Sequence, residues 1–156
     1  MNVYVRQLAR ALGDLGMQVD VFTRNHSTAA EQIQRISPNV RVVHLPGGDP
    51  EAPLKDLHVY LPSFLAAVEQ FQQENQLAYQ VVHSHYWLSG WGGRALACRQ
   101  MIPHVVTFHT MGLIKMQSRA GEMEPLERHQ VERELVGSAD RIVAFSANER
   151  DSMVRL

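Results

Sequence analysis

The chain has 156 residues, 15 Lys+Arg against 16 Asp+Glu, 45% apolar residues and a single cysteine. That length suits one domain with one core, expected over residues 1–156, and the near balance of charge excludes the electrostatic footprint of a dedicated nucleic-acid or anionic-membrane binder. The longest apolar run, the five residues Phe64 to Val68, is too short to cross a bilayer, and Cys98 can make neither an internal disulfide nor a cysteine zinc site, so a cytoplasmic soluble domain is expected.

The N-terminal segment opens as an amphipathic helix. Val5, Leu8, Leu12 and Leu15 recur at helical spacing, and Gly16 follows as a left-handed C′ residue. Residues 18–24 alternate as a strand, and residues 39–45, built around Val-Arg-Val-Val-His-Leu, read as a second. Pro46-Gly47-Gly48-Asp49-Pro50 then opens a surface loop over 46–56. Leu57, Leu61, Phe64, Leu65, Val68 and Phe71 mark a helix that starts or kinks at Pro62. Three short β-branched strands follow at 81–85, 104–109 and 141–145, separated by helical patterns at about 90–100 and 125–138. Ser146, with Glu149 three residues later, reads as the N-cap of a last helix. The alternation predicts an α/β, Rossmann-like, mostly parallel sheet flanked by helices.

In such sheets ligands collect beyond the carboxyl ends of the strands. That rule selects Ser84 to Trp87, His109 to Gly112, and Phe145-Ser146. Other chemistries fit less well. His83 and His85 share a strand face, but no strand end supplies an acidic or thiolate third ligand, so no metal site is expected. There is no Gly-x-Ser-x-Gly elbow, and Cys98 sits inside a helical pattern, which disfavours nucleophilic catalysis. Glu127, Glu132 and Glu134 read as exposed charges with Arg128 and Arg133 as neighbours.

Four ordered motifs carry a family resemblance: Asn2-Val3-Tyr4-Val5-Arg6-Gln7-Leu8-Ala9 with Gly16 to Arg24; His83-Ser84-His85-Tyr86-Trp87-Leu88-Ser89-Gly90; Val105-Val106-Thr107-Phe108-His109-Thr110; and Ala139 to Ser146. Together they resemble the N-terminal domain of retaining family 4 glycosyltransferases, in the branch of sucrose-phosphate synthases and the inositol-phosphate N-acetylglucosaminyltransferases of mycothiol synthesis. The resemblance implies one half of a GT-B fold, in which two Rossmann-like domains face each other across a cleft. The family places a strand and a Gly-Gly turn before the position of Asn2, and a donor-binding domain after the segment resembled here. On the resemblance, both are expected to be missing and the chain to be partial.

The same resemblance implies a nucleotide-sugar donor, of which a UDP-sugar is the expected kind, as co-substrate, no other cofactor, and a phosphorylated sugar or cyclitol acceptor. His109 would face the transferred sugar and stabilise charge in an oxocarbenium-like transition state rather than act as a nucleophile. Lys55, Tyr86, Thr110 and Arg128 match positions that hold the acceptor phosphate, two cations and two hydroxyls being a sensible clamp for it. Asn2 would stand at a helix N-terminus that touches donor pyrophosphate or acceptor. A catalytically silent anion- or phosphosugar-binding domain is the alternative function, and an unrelated doubly wound module is disfavoured by the lack of a Gly-x-Gly-x-x-Gly turn.

Overall fold

The computed structural model describes residues 3–25, 31–112, 116 and 124–155, and for residues 54 and 55 the backbone alone. The chain divides into two compact units, Met1–Leu77 and Ala78–Leu156.

In the first unit, helix α1 (Val3–Asp14) leads into strand β1 (Val19–Arg24). The helix ends where expected: Gly16 has φ +89°, a value that costs glycine nothing, and the Met17 N–H donates to the Leu12 carbonyl. Strand β3 (Val40–Leu45) lies at the centre of a three-stranded sheet, parallel to β1 in the register Val19 with Val40 through Arg24 with Leu45. Its Val40, Val42, Val43 and Leu45 are buried. The third strand, β2 (Ile33–Ser37), was not expected from the sequence. It pairs antiparallel to β3, and its largely exposed residues explain why no alternation announces it. Residues 54–60 form a 3-10 turn that runs into helix α2 (Leu61–Glu74), so Pro62 sits in the first turn of the helix and does not kink it. The expected loop over 46–56 therefore ends inside this turn.

The second unit alternates strand and helix: β4 (Val82–His85), α3 (Trp87–Gln100), β5 (His104–Thr107), α4 (Leu126–Ser138), β6 (Arg141–Ile142) and α5 (Ala147–Val154). The sheet order is β4-β5-β6, all parallel, as helical connections between strands require. Trp87, Val106, Phe108, Met111, Val131, Leu135 and Met153 form its buried core. Helix α3 presses closely on this core through glycines. A Cβ on Gly90 would meet Leu135 Cδ1 at 2.5 Å, and one on Gly93 would run into the Ser84 hydroxyl. That hydroxyl and His104 Nε2 are 2.8 Å apart, both buried, and the Asp140 carboxylate accepts the His104 N–H at 2.8 Å. Ser146 caps α5 as expected, accepting the Glu149 N–H at 3.1 Å. The Glu149 carboxylate reaches one residue further back than a capping box would, to the Phe145 N–H at 2.7 Å.

Candidate functional site

Strands β4 and β5 end side by side, His85 opposite Thr107. The residues just beyond them carry unusual backbone. Tyr86 has φ +77° and ψ 156°, a region otherwise left to glycine, and His109 has φ +65°. Each such residue costs about 1–3 kcal/mol and persists only where its surroundings hold it. Tyr86 is held by its N–H, which donates to the Thr107 carbonyl at 2.8 Å, and by its carbonyl, which accepts from Gly90 N–H at 2.9 Å. The conformation of His109 also explains why β5 stops at Thr107 instead of running to 109: a left-handed residue leaves the ladder. Strand β6 likewise covers only 141–142 of the expected 141–145, although the Val143 N–H still donates to the Val106 carbonyl at 2.9 Å.

Three imidazoles gather at this edge. His85 Nδ1 lies 3.2 Å from His109 Nε2, the rings of His83 and His85 are 4.4 Å apart, and His83 Nε2 lies 2.8 Å from the Thr107 hydroxyl. The Phe145 ring, from the loop after β6, sits 5.4 Å from that of His109. Burial lowers all three pKa values. His85 falls to about 4, its two histidine neighbours adding to the effect. His83 is lowered further by His109, whereas the carboxylate of Glu149 partly offsets burial at His109. The cluster is therefore a set of neutral hydrogen-bonding rings near pH 7 rather than a patch of positive charge.

Arg128 organises the neighbouring ground. It projects from the first turn of α4 and is only 1% exposed. Its Nε donates to Glu132 at 2.7 Å and its Nη1 to Glu124 at 2.7 Å and to the Tyr86 hydroxyl at 3.2 Å, while its Nη2 donates to the Thr110 carbonyl at 2.5 Å. The guanidinium also lies over the Tyr86 ring, 4.8 Å from its centre. Burial opposes its charge, but the bonds and charge of Glu132 and Glu124 more than compensate, so its pKa is raised. Glu132 also accepts the Gly112 N–H at 2.9 and 3.1 Å, tying the turn after β5 to α4. Among the described residues no three His, Cys, Asp or Glu side chains converge to hold a metal ion. The chemistry on offer is hydrogen bonding from neutral rings and hydroxyls beside one buried cation.

A family model described as a glycosyl transferase 4-like domain matches residues 1–156. The chain belongs to this glycosyl transferase 4-like family. It is 40% identical over 160 residues to a D-inositol 3-phosphate glycosyltransferase from Xylanimonas cellulosilytica, covering all of this chain and 38% of that protein. It is 35% identical over 157 residues to the protein of the same name from Corynebacterium kroppenstedtii, covering 99% of this chain and 35% of the relative. Among solved structures it resembles sucrose-phosphate synthase from Thermosynechococcus elongatus, with TM-score 0.88 and 32% identity, covering 98% of this chain and 38% of that one. The chain thus spans little more than a third of the length of these relatives. Its mostly parallel α/β fold is that of one half of the GT-B architecture.

Of the residues that the family resemblance selects, four come together. Arg128 bonds Tyr86 and the backbone of Thr110, and Thr110 directly follows His109, its hydroxyl donating to the His109 carbonyl at 2.7 Å. Tyr86 is 42% exposed and Thr110 is exposed, so both present surface to a ligand. Lys55 belongs to the 3-10 turn Leu54–Tyr60 of the first unit, its side chain lying outside the described residues, as does Asn2 entirely. One expectation is corrected: Glu132 is buried, not exposed, because it neutralises Arg128 and closes on Gly112, whereas Glu127 and Glu134 are exposed as expected. Arg128 itself is no solvated helix charge. No motif in the sequence singles out Glu124, although Glu124, Arg128 and Glu132 stand at four-residue intervals, the spacing that aligns charges along one helix face.

Proposed function

We propose that this chain is the acceptor-side part of a retaining glycosyltransferase, which moves a sugar from a nucleotide-sugar donor, a UDP-sugar, to a phosphorylated cyclitol or sugar in the cytoplasm. The observation that carries the proposal is the convergence of His109, Thr110, Tyr86 and Arg128 at one sheet edge. The relatives' names, which specify an inositol phosphate in one group and a sucrose-phosphate product in the other, supply the substrate class. In this scheme the lowered pKa of His109 keeps its ring neutral. It then contributes by hydrogen bonding to the transferred sugar as positive charge develops there, aimed in advance by a constrained backbone. Tyr86, Thr110 and Arg128 would receive the acceptor phosphate, and Lys55 and Asn2 carry the substrate-binding roles that the family resemblance implies for them. Donor binding belongs to a separate domain.

The test is a transfer assay with UDP-sugars and inositol phosphate, comparing the protein with two variants. His109→Ala is expected to lower kcat by about a hundredfold or more, and Lys55→Ala to raise the KM for the phosphorylated acceptor with kcat little changed. Equal turnover in the His109 variant rejects its role. Phosphosugar binding without transfer by the protein together with its donor domain would favour a silent binding module instead.

A further inference from the structure

Beside His109 stands a second imidazole to which the family resemblance attaches no role. His85 is the last residue of β4, and its Nδ1 lies 3.2 Å from Nε2 of His109. The His85 ring is itself supported. It packs on His83 at 4.4 Å, and His83 is tied to the Thr107 hydroxyl at 2.8 Å, so the support returns to the end of β5, from which the chain leads into His109. His109 needs such support, since its backbone is left-handed and its ring also meets Phe145.

Two neutral imidazoles in such a bond share one hydrogen. Whichever ring donates, the accepting ring must carry its own proton on its other nitrogen, so the role of His109 Nε2 in this bond dictates the complementary role of its Nδ1. Burial and the neighbouring rings push His85 to about 4, so it holds His109 without bringing charge to it. We propose that His85 is a positioning residue that fixes the ring orientation of His109 and couples its tautomer to that of His85. The consequence for sugar transfer rests on the role proposed above for His109; the structural content does not.

The experiment reads the imidazole nitrogens directly. In the whole protein at about pH 7.5, above the ordinary histidine range, the ¹⁵N shifts are expected to show one hydrogen shared between His109 Nε2 and His85 Nδ1, the two rings carrying complementary tautomers. His85→Phe should shift the His109 nitrogens away from this pattern, and His85→Asn, whose amide can donate or accept near the place of Nδ1, should return His109 Nε2 to a hydrogen-bonded shift. In the transfer assay the Phe variant should lose about tenfold to a hundredfold in kcat, with the acceptor KM held and partial recovery in the Asn variant. Protons on both facing nitrogens, or on neither, in the unaltered protein would overturn the proposal without any variant, and so would unchanged His109 shifts in a folded His85→Phe protein. If the shifts respond and turnover does not, His85 positions His109 as stated and it is the catalytic role of His109 that falls.

Discussion

Removal of Glu132 should be felt strongly in the second unit. In Glu132→Ala, Arg128 loses its Nε partner at 2.7 Å and the Gly112 N–H loses its acceptor at 2.9 Å, both in a buried place. Breaking a buried ion pair by deleting one member costs about 3–5 kcal/mol. The retained Glu124 bond keeps the guanidinium partly neutralised, which sets the expectation at the lower end, about 3 kcal/mol. With a urea slope of about 1.5 kcal/mol/M, the unfolding midpoint should fall by about 2 M. Glu132→Gln should be intermediate: its carbonyl can still accept from Arg128, but its amide nitrogen cannot accept from Gly112. The control is Glu134→Ala, which removes an exposed pair with Arg94 and should cost less than about 1 kcal/mol. A Glu132→Ala midpoint shift no larger than that of Glu134→Ala would refute the account of Arg128 as a buried cation held by its neighbours.

Acid should also weaken the fold. His85 and His104 are both held near 4, so well above the ordinary histidine value of about 6.5 they are neutral folded or unfolded and contribute no pH dependence. Below that the unfolded chain takes up protons that the native one refuses, and stability should fall progressively until about pH 4, whereas a urea midpoint level from pH 7 to 5 would contradict this. For the clamp, Glu124→Gln removes a carboxylate that competes with a phosphate for Arg128 Nη1, so calorimetric titration with inorganic phosphate should show binding tightened several-fold. Unchanged or weaker binding would identify Glu124 as a support of the clamp rather than a competitor. Gly93→Ala forces a methyl into the Ser84–His104 hydrogen bond and should destabilise by about 1–3 kcal/mol, measurable as a lowered thermal midpoint.

Much of this architecture is legible in one sequence because it rests on local signals. The helix, Gly16 and β1 are written in apolar spacing and in a residue free to take positive φ, and the α5 cap in a serine followed three residues later by glutamate. Strand β2 is not legible, since an exposed edge strand needs no alternating apolar face and exists only because β3 is there to pair with it. The ends of β5 and β6 are overrun for a related reason. His109 leaves the ladder through its backbone conformation, which residue identity does not announce for a non-glycine. At the site, strand-end position found Tyr86, His109 and Thr110, and the family resemblance added Arg128. The burial of Arg128 and Glu132 stayed hidden because a polar helix with charges all along it looks solvated until its neighbours are known. The His85–His109 contact joins residues 24 apart, and no spacing rule within a single element reaches that far.

Helix α3 places Gly90, Gly92 and Gly93 within its 14 residues. Each glycine costs a helix interior about 1 kcal/mol relative to alanine, so the segment forgoes about 3 kcal/mol of intrinsic tendency to form a helix. Released from β4 and α4 it would not persist as a helix. In the second unit, then, the strands and α4 must offer a landing surface before α3 can wind, which makes it a late arrival on the folding route. Its amide hydrogens should therefore exchange ahead of those of β5 and α4, through an opening that releases α3 and leaves its landing surface in place.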